Sequence, residues 1–338
     1  MIGKERNDVF GKNVANAVLS MSKDKIFISK LDDKQAAINR IQQEFRLSLA
    51  QAETKCEQMI GILENAELTI NFYAHKLFPR DSWFRHPSGD GFKNTYELTN
   101  SATKYTADRD ATEESIYHYS NVRKIASRTK SREQGDEIRK HGKFMGKGNM
   151  MKNIHFESSS RPVYAAMNFA GLKSGAASAY GKSYAVLKEE VKARATFIHE
   201  DSLVMFNREK RLNEQSSQKK KDIDLSKKIS STANFYRLIF NMDRSMLLAL
   251  ERVTTDNAIF SNFDFLPNLD GSSTTYNAYD YIEAHIHGGV KFESDVKAMY
   301  VSTQELYQNV RLFGWHYLTS KRSLQNFAYT NNIEITFI

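Results

Sequence analysis

The sequence predicts an α+β fold, with a helical N-terminal segment over residues 1–66 and mixed or antiparallel sheets over residues 67–338. Three observations point there. Between Gln35 and Leu63 the apolar residues, among them Ile38, Ile41, Phe45, Ala52, Met59 and Leu63, recur mostly at spacings of three and four, which places them on one helix face. From Glu67 the texture changes: Leu68-Thr69-Ile70-Asn71-Phe72-Tyr73 is β-branched and aromatic, the signature of a strand. Aromatic residues make up 12% of the chain against only 4 prolines, with Phe and Tyr far outnumbering Trp, so rings are available to fill a sheet core.

The elements follow in order. Asp32-Asp33 offers a cap and acidic charge at the start of the first helix. Residues 79–105 carry turn residues such as Pro87-Ser88-Gly89-Asp90-Gly91 and read as loops around short strands. Residues 111–153 are polar, with a basic excess from Arg123 to Lys152, and read as a helix plus a loop. Three strands are expected at Val163–Phe169, Ser183–Leu187 and Ala193–Ile198, with Gly171, Gly175 and Gly181 at the joins. Residues 207–230 are charged and read as a solvated helix or loop, and Ser245–Arg252 as a short helix. Tyr281–Ile286 reads as a strand, Gly288-Gly289 as a turn, and Ser294–Met299 as the start of a helix capped by Ser294. No internal repeat and no linker divides the chain beyond the boundary near residue 66.

Composition narrows the function classes. Apolar residues at 41% and charged residues at 26% are those of an ordinary globular protein. No run approaches the roughly 18 apolar residues that span a bilayer, and the mixed-charge first residues argue against a Sec-type signal peptide. A single cysteine, Cys56, excludes an intrachain disulfide and a multi-cysteine metal site, and its place in the helical apolar pattern makes it a core residue. The formal charge of +8 permits an anionic partner without demanding one. The lysines at 219–221 and 227–228 sit among few apolar neighbours and read as a solvated face or as a patch for an acidic membrane.

The familiar catalytic fingerprints are missing: there is no G-x-x-x-x-G-K-[ST], H-E-x-x-H or G-x-S-x-G, and the Gly89/Gly91 pair is a turn. The one chemical hint is Tyr281-Ile282-Glu283-Ala284-His285-Ile286-His287, in which Tyr281, Glu283, His285 and His287 share a strand face. A carboxylate among apolar strand residues is costly unless it is paired or employed. Three readings stand: Glu283 faces solvent on an edge, it is a working carboxylate, or His285 and His287 bind a metal ion at i, i+2 spacing.

Five blocks then carry a resemblance: Leu68-Thr69-Ile70-Asn71-Phe72; Arg161-Pro162-Val163-Tyr164; Tyr180-Gly181-Lys182-Ser183; Arg194-Ala195-Thr196-Phe197 with Asp201-Ser202; and Tyr281 through Gly288. In that order, over about residues 60–310, the chain resembles a family of bacterial proteins catalogued as a domain of unknown function, and also bacterial mono-ADP-ribosyltransferase effectors of the SopF kind. Departures from the family pattern are Tyr73 and His285, where His and Gln are usual, and Thr99-Asn100-Ser101 in place of a Gly-containing turn. The resemblance implies an ADP-ribosyltransferase-like catalytic domain at residues 67–338, NAD as the bound dinucleotide, and transfer to a host protein, a vacuolar ATPase subunit among the candidates. It implies an ARF-type small GTPase as activator, an acidic membrane surface as a place of action, secretion into a host cell, and no nucleic-acid partner.

The site residues follow from that implication. Breaking the nicotinamide–ribose bond develops positive charge on the sugar, and Glu283 is the carboxylate to offset it. Tyr180, then Tyr184, would stack on the cationic nicotinamide, a gain of about 0.5–2 kcal/mol. Ser183 would bond the ribose or order Glu283, Asn71 would reach the nicotinamide amide, and Arg161 would pair with a pyrophosphate oxygen or with a carboxylate.

Overall fold

A computed structural model describes residues 19–20, 29–81, 84–85, 87, 89–94, 98, 104–119, 161–215, 222–256, 281–306 and 315–338. The helical pattern at the start resolves into two helices, α1 (Lys30–Phe45) and α2 (Leu49–Asn65). They part at Arg46, which takes a left-handed φ of 53°. Ser48 then starts α2 with a capping box: its hydroxyl accepts from the Gln51 amide while Gln51 Oε1 accepts from the Ser48 amide at 3.0 Å. Residue 32–33 acidity does fall in the first turn of α1, but Ser29 precedes the helix, and Asp33 instead ties it to a distant element through Arg237 Nε at 2.9 Å.

The elements that follow are β1 (Glu67–Phe72), α3 (Ala74–Leu77), β2 (Arg80–Asp81), β3 (Phe84–Arg85), β4 (Gly91–Phe92), α4 (Lys104–Tyr117), β5 (Val163–Asn168), β6 (Ser183–Leu187), β7 (Ala195–Ile198), α5 (Ser202–Gln215), α6 (Tyr236–Asn241) and α7 (Arg244–Asp256). The chain closes with β8 (Glu283–Ile286), β9 (Val290–Lys291), α8 (Phe292–Asp295), β10 (Val296–Val301), α9 (Thr303–Leu306), α10 (Trp315–Thr330) and β11 (Glu334–Phe337). Among the described residues seven strands form one sheet in the order β11-β10-β6-β1-β5-β8-β7, antiparallel throughout except for the parallel β10–β11 edge. The protein is therefore mixed α and β, with a mostly antiparallel sheet.

Strand alternation gives the sheet two unlike faces. Leu68, Ile70, Ala165, Met167, Ala185, Phe197, Ala284, Ile286 and Met299 point to one side. There they join Ile38 and Ile41 of α1, Met59 and Leu63 of α2, and Leu247 and Leu250 of α7 in a single apolar core. The N-terminal helices and the sheet thus share one core. The other face carries Thr69, Asn71, Tyr164, Thr196, Glu283 and His285, and helices α4 and α5 supply polar partners to it. Of the candidate residues, Glu283, Asn71 and Tyr184 lie on this second face, whereas Ser183 pairs opposite Phe72 and takes the register of the apolar face.

One predicted element is corrected. Residues 294–299 do not begin a helix: a single helical turn, α8, gives way to the strand β10. Val296 and Ala298–Tyr300 pair with β6, and Ala298–Val301 pair with β11. Pairing on both edges of that strand outweighs the local capping signal of Ser294. Helix α10 and strand β11 are further elements that the sequence pattern does not predict. The basic run at 219–221 lies outside the described residues. Of the neighbouring pair, Lys227 is exposed and Lys228 is engaged with Glu209 at 3.1 Å.

Gly181 is required by its surroundings. It adopts φ +142°, and a Cβ there would sit 2.1 Å from the Phe72 carbonyl oxygen. Gly181→Ala is expected to lower stability by more than about 1 kcal/mol, because both the backbone conformation and the space exclude a methyl group. Urea denaturation checks this; a variant as stable as the parent would show that the β1–β6 approach yields freely.

Candidate functional site

Strand β8 lies between β5 and β7, so a side chain on its polar face is shielded by strands on both sides and by the helices above. Glu283 is accordingly 0% exposed. Its carboxylate is fully engaged: Oε2 accepts from the Ser202 amide at 2.6 Å, and Oε1 accepts from the Ser202 hydroxyl at 3.0 Å. His285 Nε2 stands 2.8 Å from Oε1, and Arg109 Nη1 lies 3.6 Å from it. The Ser202 amide is the first of helix α5, so the carboxylate also meets the positive end of that helix. Burial pushes the Glu283 carboxyl up, but His285, Arg109 and the Ser202 amide outweigh it and hold the group below its usual range. Glu283 is an anion at neutral pH.

A hydrogen-bonded chain extends from it. His285 Nδ1 meets the Tyr117 hydroxyl, which lies 2.9 Å from Thr196 Oγ1, and Thr196 Oγ1 lies 3.1 Å from His287 Nε2. Both ring nitrogens of His285 are thus occupied. Among the described residues no group of three or more His, Cys, Asp or Glu side chains is arranged to hold a metal ion. Burial pushes the Cys56 thiol up to about 12, in keeping with its place in the core.

Arg109, on α4, is the hinge of the arrangement. Its Nη1 donates to Ser202 Oγ at 2.8 Å, and its guanidinium lies over the Tyr164 ring at 4.1 Å. Burial works against its charge, but Tyr164, Glu283 and Asp201 more than restore it. A second buried cluster lies on the same helix. Arg161 pairs with Asp110 at 2.7 Å and with Glu113, whose carboxylate also accepts from the Tyr164 hydroxyl.

Beside these groups is a cavity of about 430 Å³. That size lies within the roughly 300–1,000 Å³ of small-molecule sites. Among the described residues five tyrosines line it, Tyr73, Tyr105, Tyr164, Tyr180 and Tyr281, and so does Arg109. Tyr180 and Tyr281 meet edge to face, with ring centroids 6.1 Å apart, and both hydroxyls donate to Asp201 Oδ2, at 2.7 and 3.1 Å. Burial, together with the Asp201 charge, pushes the Tyr180 hydroxyl well above its ordinary value, so it remains a donor. Glu283 does not itself line the cavity, but its neighbour Arg109 does, as does Tyr281 two residues earlier.

The remaining expected residues sit as follows. Asn71 lines the cavity, but its amide donates to the carbonyls of Ser174 and Gly181 and accepts from the Ala177 amide, which shapes the loop before β6. Ser183 donates to Glu305 Oε2 at 3.0 Å, and the serine that orders Glu283 is Ser202. Tyr184 stacks on Tyr300 at 4.6 Å and is absent from the cavity lining. Arg161 has carboxylate partners. The structure therefore brings Glu283 and Tyr180 to one site, with Asn71 at its wall. It adds Arg109, Ser202, Asp201, Tyr281 and Tyr117, to which sequence reasoning gave no role. Asp201-Ser202 stood in a quoted motif, and Tyr281 on the right strand face, so both carried a signal. Arg109 and Tyr117 carried none, because their helix lacks an apolar stripe.

A match to the family described as a protein of unknown function, DUF3626, covers residues 109–311, more than half of the chain, and the chain belongs to that family. The matched region begins at Arg109 and takes in Glu283. No curated protein is significantly similar to the chain. Among the described residues no helix is long and apolar enough to cross a membrane.

Proposed function

We propose that this protein is an NAD-dependent mono-ADP-ribosyltransferase acting on a protein, with an ADP-ribosyltransferase-like arrangement over its C-terminal part. The observation that carries the reading is an anionic carboxylate, Glu283, coupled through Arg109 to a tyrosine-lined cavity of substrate size. NAD supplies the ribosyl group: its nicotinamide–ribose bond breaks, the electron pair leaves with neutral nicotinamide, and an acceptor nucleophile bonds to the same carbon and loses its proton. Tyr180 and Tyr281 offer ring faces and edges to a cationic aromatic ring. Glu283 supplies fixed negative charge where positive charge develops on the sugar. Since it exposes no surface, contact with a sugar requires Arg109 or Tyr281 to shift when the ligand enters.

The acceptor belongs to a host cell in this reading, with a small GTPase as activator and an acidic membrane as the setting. The test is incubation with NAD labelled in its adenosine half and a host-cell lysate, with and without a purified ARF-type GTPase. Label in a discrete protein band, lost on adding unlabelled NAD, is the expected result. No incorporation under either condition rejects the reading.

The complete burial of Glu283 favours a second reading, a ligand-binding module in which the carboxylate only orients Arg109. Binding of NAD without nicotinamide release would select it.

Tyr180 gives a prediction common to both. Tyr180→Phe keeps the ring and loses the bond to Asp201, which retains that from Tyr281. Tyr180→Ala removes the ring. Affinity for NAD, measured by titration calorimetry, is expected to fall several-fold to about 30-fold for Ala, corresponding to about 1–2 kcal/mol, and less than threefold for Phe. Equal losses would place the role in the hydroxyl.

A further inference from the structure

The charge on the cavity wall is one-sided. Among the described residues it includes three cationic side chains, Lys76, Lys93 and Arg109, and no acidic one. Arg109 is 3% exposed, and among the described residues its buried Nε has no hydrogen-bond partner. A buried guanidinium N–H with no acceptor is costly, and a ligand that supplies the acceptor recovers that cost. Glu283 lies at 3.6 Å from Arg109 Nη1, and Asp201 contributes to the same field, but neither lines the cavity. Asp201 is already committed, taking two tyrosine hydroxyls on one oxygen and the Leu203 and Val204 amides on the other. Lys76 stands over the Tyr73 ring at 4.6 Å, which fixes one cation beside an aromatic surface at the wall.

We infer that the cavity takes a small planar aromatic molecule bearing an anionic group, a phosphate or a carboxylate, with the ring against the tyrosines and the anion toward Arg109. The inference deepens the proposed function and rests on the same cavity, but it concerns binding alone and needs no turnover. A neutral aromatic of the same size forgoes the charge-assisted bond, and a bare anion forgoes the rings.

Calorimetric titration of the full chain with matched probes tests this. The pairs are adenosine 5′-monophosphate against adenosine, and nicotinate against nicotinamide, with inorganic phosphate as the anion without a ring. At least one anionic probe is expected to bind tenfold or more tighter than its neutral partner, and tighter than inorganic phosphate. Whichever pair shows the difference assigns the anion as phosphate or carboxylate. Arg109→Gln is expected to abolish most of that difference while leaving the neutral probe within threefold. Should that variant fail to fold, the exposed pair Lys76→Ala/Lys93→Ala is expected to weaken the anionic probe alone, by threefold or more. Equal affinity within each pair, or no binding by any probe, overturns the inference. Selective binding of the anion that persists in Glu283→Gln without any ADP-ribosyl transfer by the parent keeps it and removes the transferase reading instead.

Discussion

Under the proposed transferase activity, Glu283→Gln is expected to reduce ADP-ribosyl transfer by on the order of 100-fold or more, the usual consequence of losing one preorganised charge at a reacting centre. The amide is isosteric, and its oxygen still accepts from the Ser202 amide. The charge is lost, however, and Arg109 is left buried without its carboxylate, so stability near pH 7 is expected to fall as well, by up to about 3–5 kcal/mol. The sign of the pH dependence follows from the depressed carboxyl. A group whose folded pKa lies below its unfolded value contributes stability that is full above the unfolded value, about 4.3, and is lost as the pH falls through the folded value. The gap between parent and variant should therefore narrow below about pH 4. Denaturation curves at several pH values check the second effect, and rates of nicotinamide release the first. Transfer within threefold of the parent, or a stability gap that does not change with pH, contradicts the corresponding claim.

The second large effect is expected at Arg161. Its side chain is 2% exposed and neutralises both Asp110 and Glu113. Arg161→Met leaves two buried carboxylates without their cation and is expected to destabilise the protein by about 3–5 kcal/mol. Adding Asp110→Asn and Glu113→Gln removes the stranded charges and should restore much of that loss, since a buried ion cluster exchanged as a unit costs little. Urea unfolding of the single and triple variants decides it. A single variant within about 1 kcal/mol of the parent would mean that the cluster admits water and the charges are screened.

Much of the fold was legible, for a physical reason. Ser183–Leu187 and the bulk of β1, β5 and β7 alternate or run apolar between glycines and turns, and strand pattern alone locates them. The bounds of α7 likewise lie close to the apolar run at 245–252. Residues 294–299 misled because Ser294 mimics a cap, whereas the pairing partners of β10, Tyr184–Leu187 and Glu334–Phe337, are remote in sequence. The break between α1 and α2 was hidden because Arg46 turns the chain without interrupting the apolar period.

The site was legible only in part. Glu283 stood out because a carboxylate among Ile282, Ala284 and Ile286 needs a partner, and alternation placed His285 on the same face. The partners themselves come from α4 and from the start of α5, elements whose polar sequences look solvent-facing. They pack instead on the polar face of the sheet, where Arg109 bonds Ser202, Ser202 bonds Glu283 and Tyr117 bonds Thr196 and His285, so that they bury by hydrogen bonding rather than by being apolar. Ser183 and Asn71 illustrate the converse. The family resemblance points both at a ligand, and here their bonds run to Glu305 and to loop backbone.

The central claim is that Glu283 acts on a ligand held in the tyrosine-lined cavity. A crystal structure of the protein soaked with NAD tests it most directly. The account predicts the nicotinamide against Tyr180 and Tyr281, Arg109 moved from Ser202 Oγ, and the Glu283 carboxylate within hydrogen-bond distance of the adjoining ribose. NAD bound elsewhere, or bound in the cavity with Glu283 still sealed beneath Arg109 and Ser202, would contradict it.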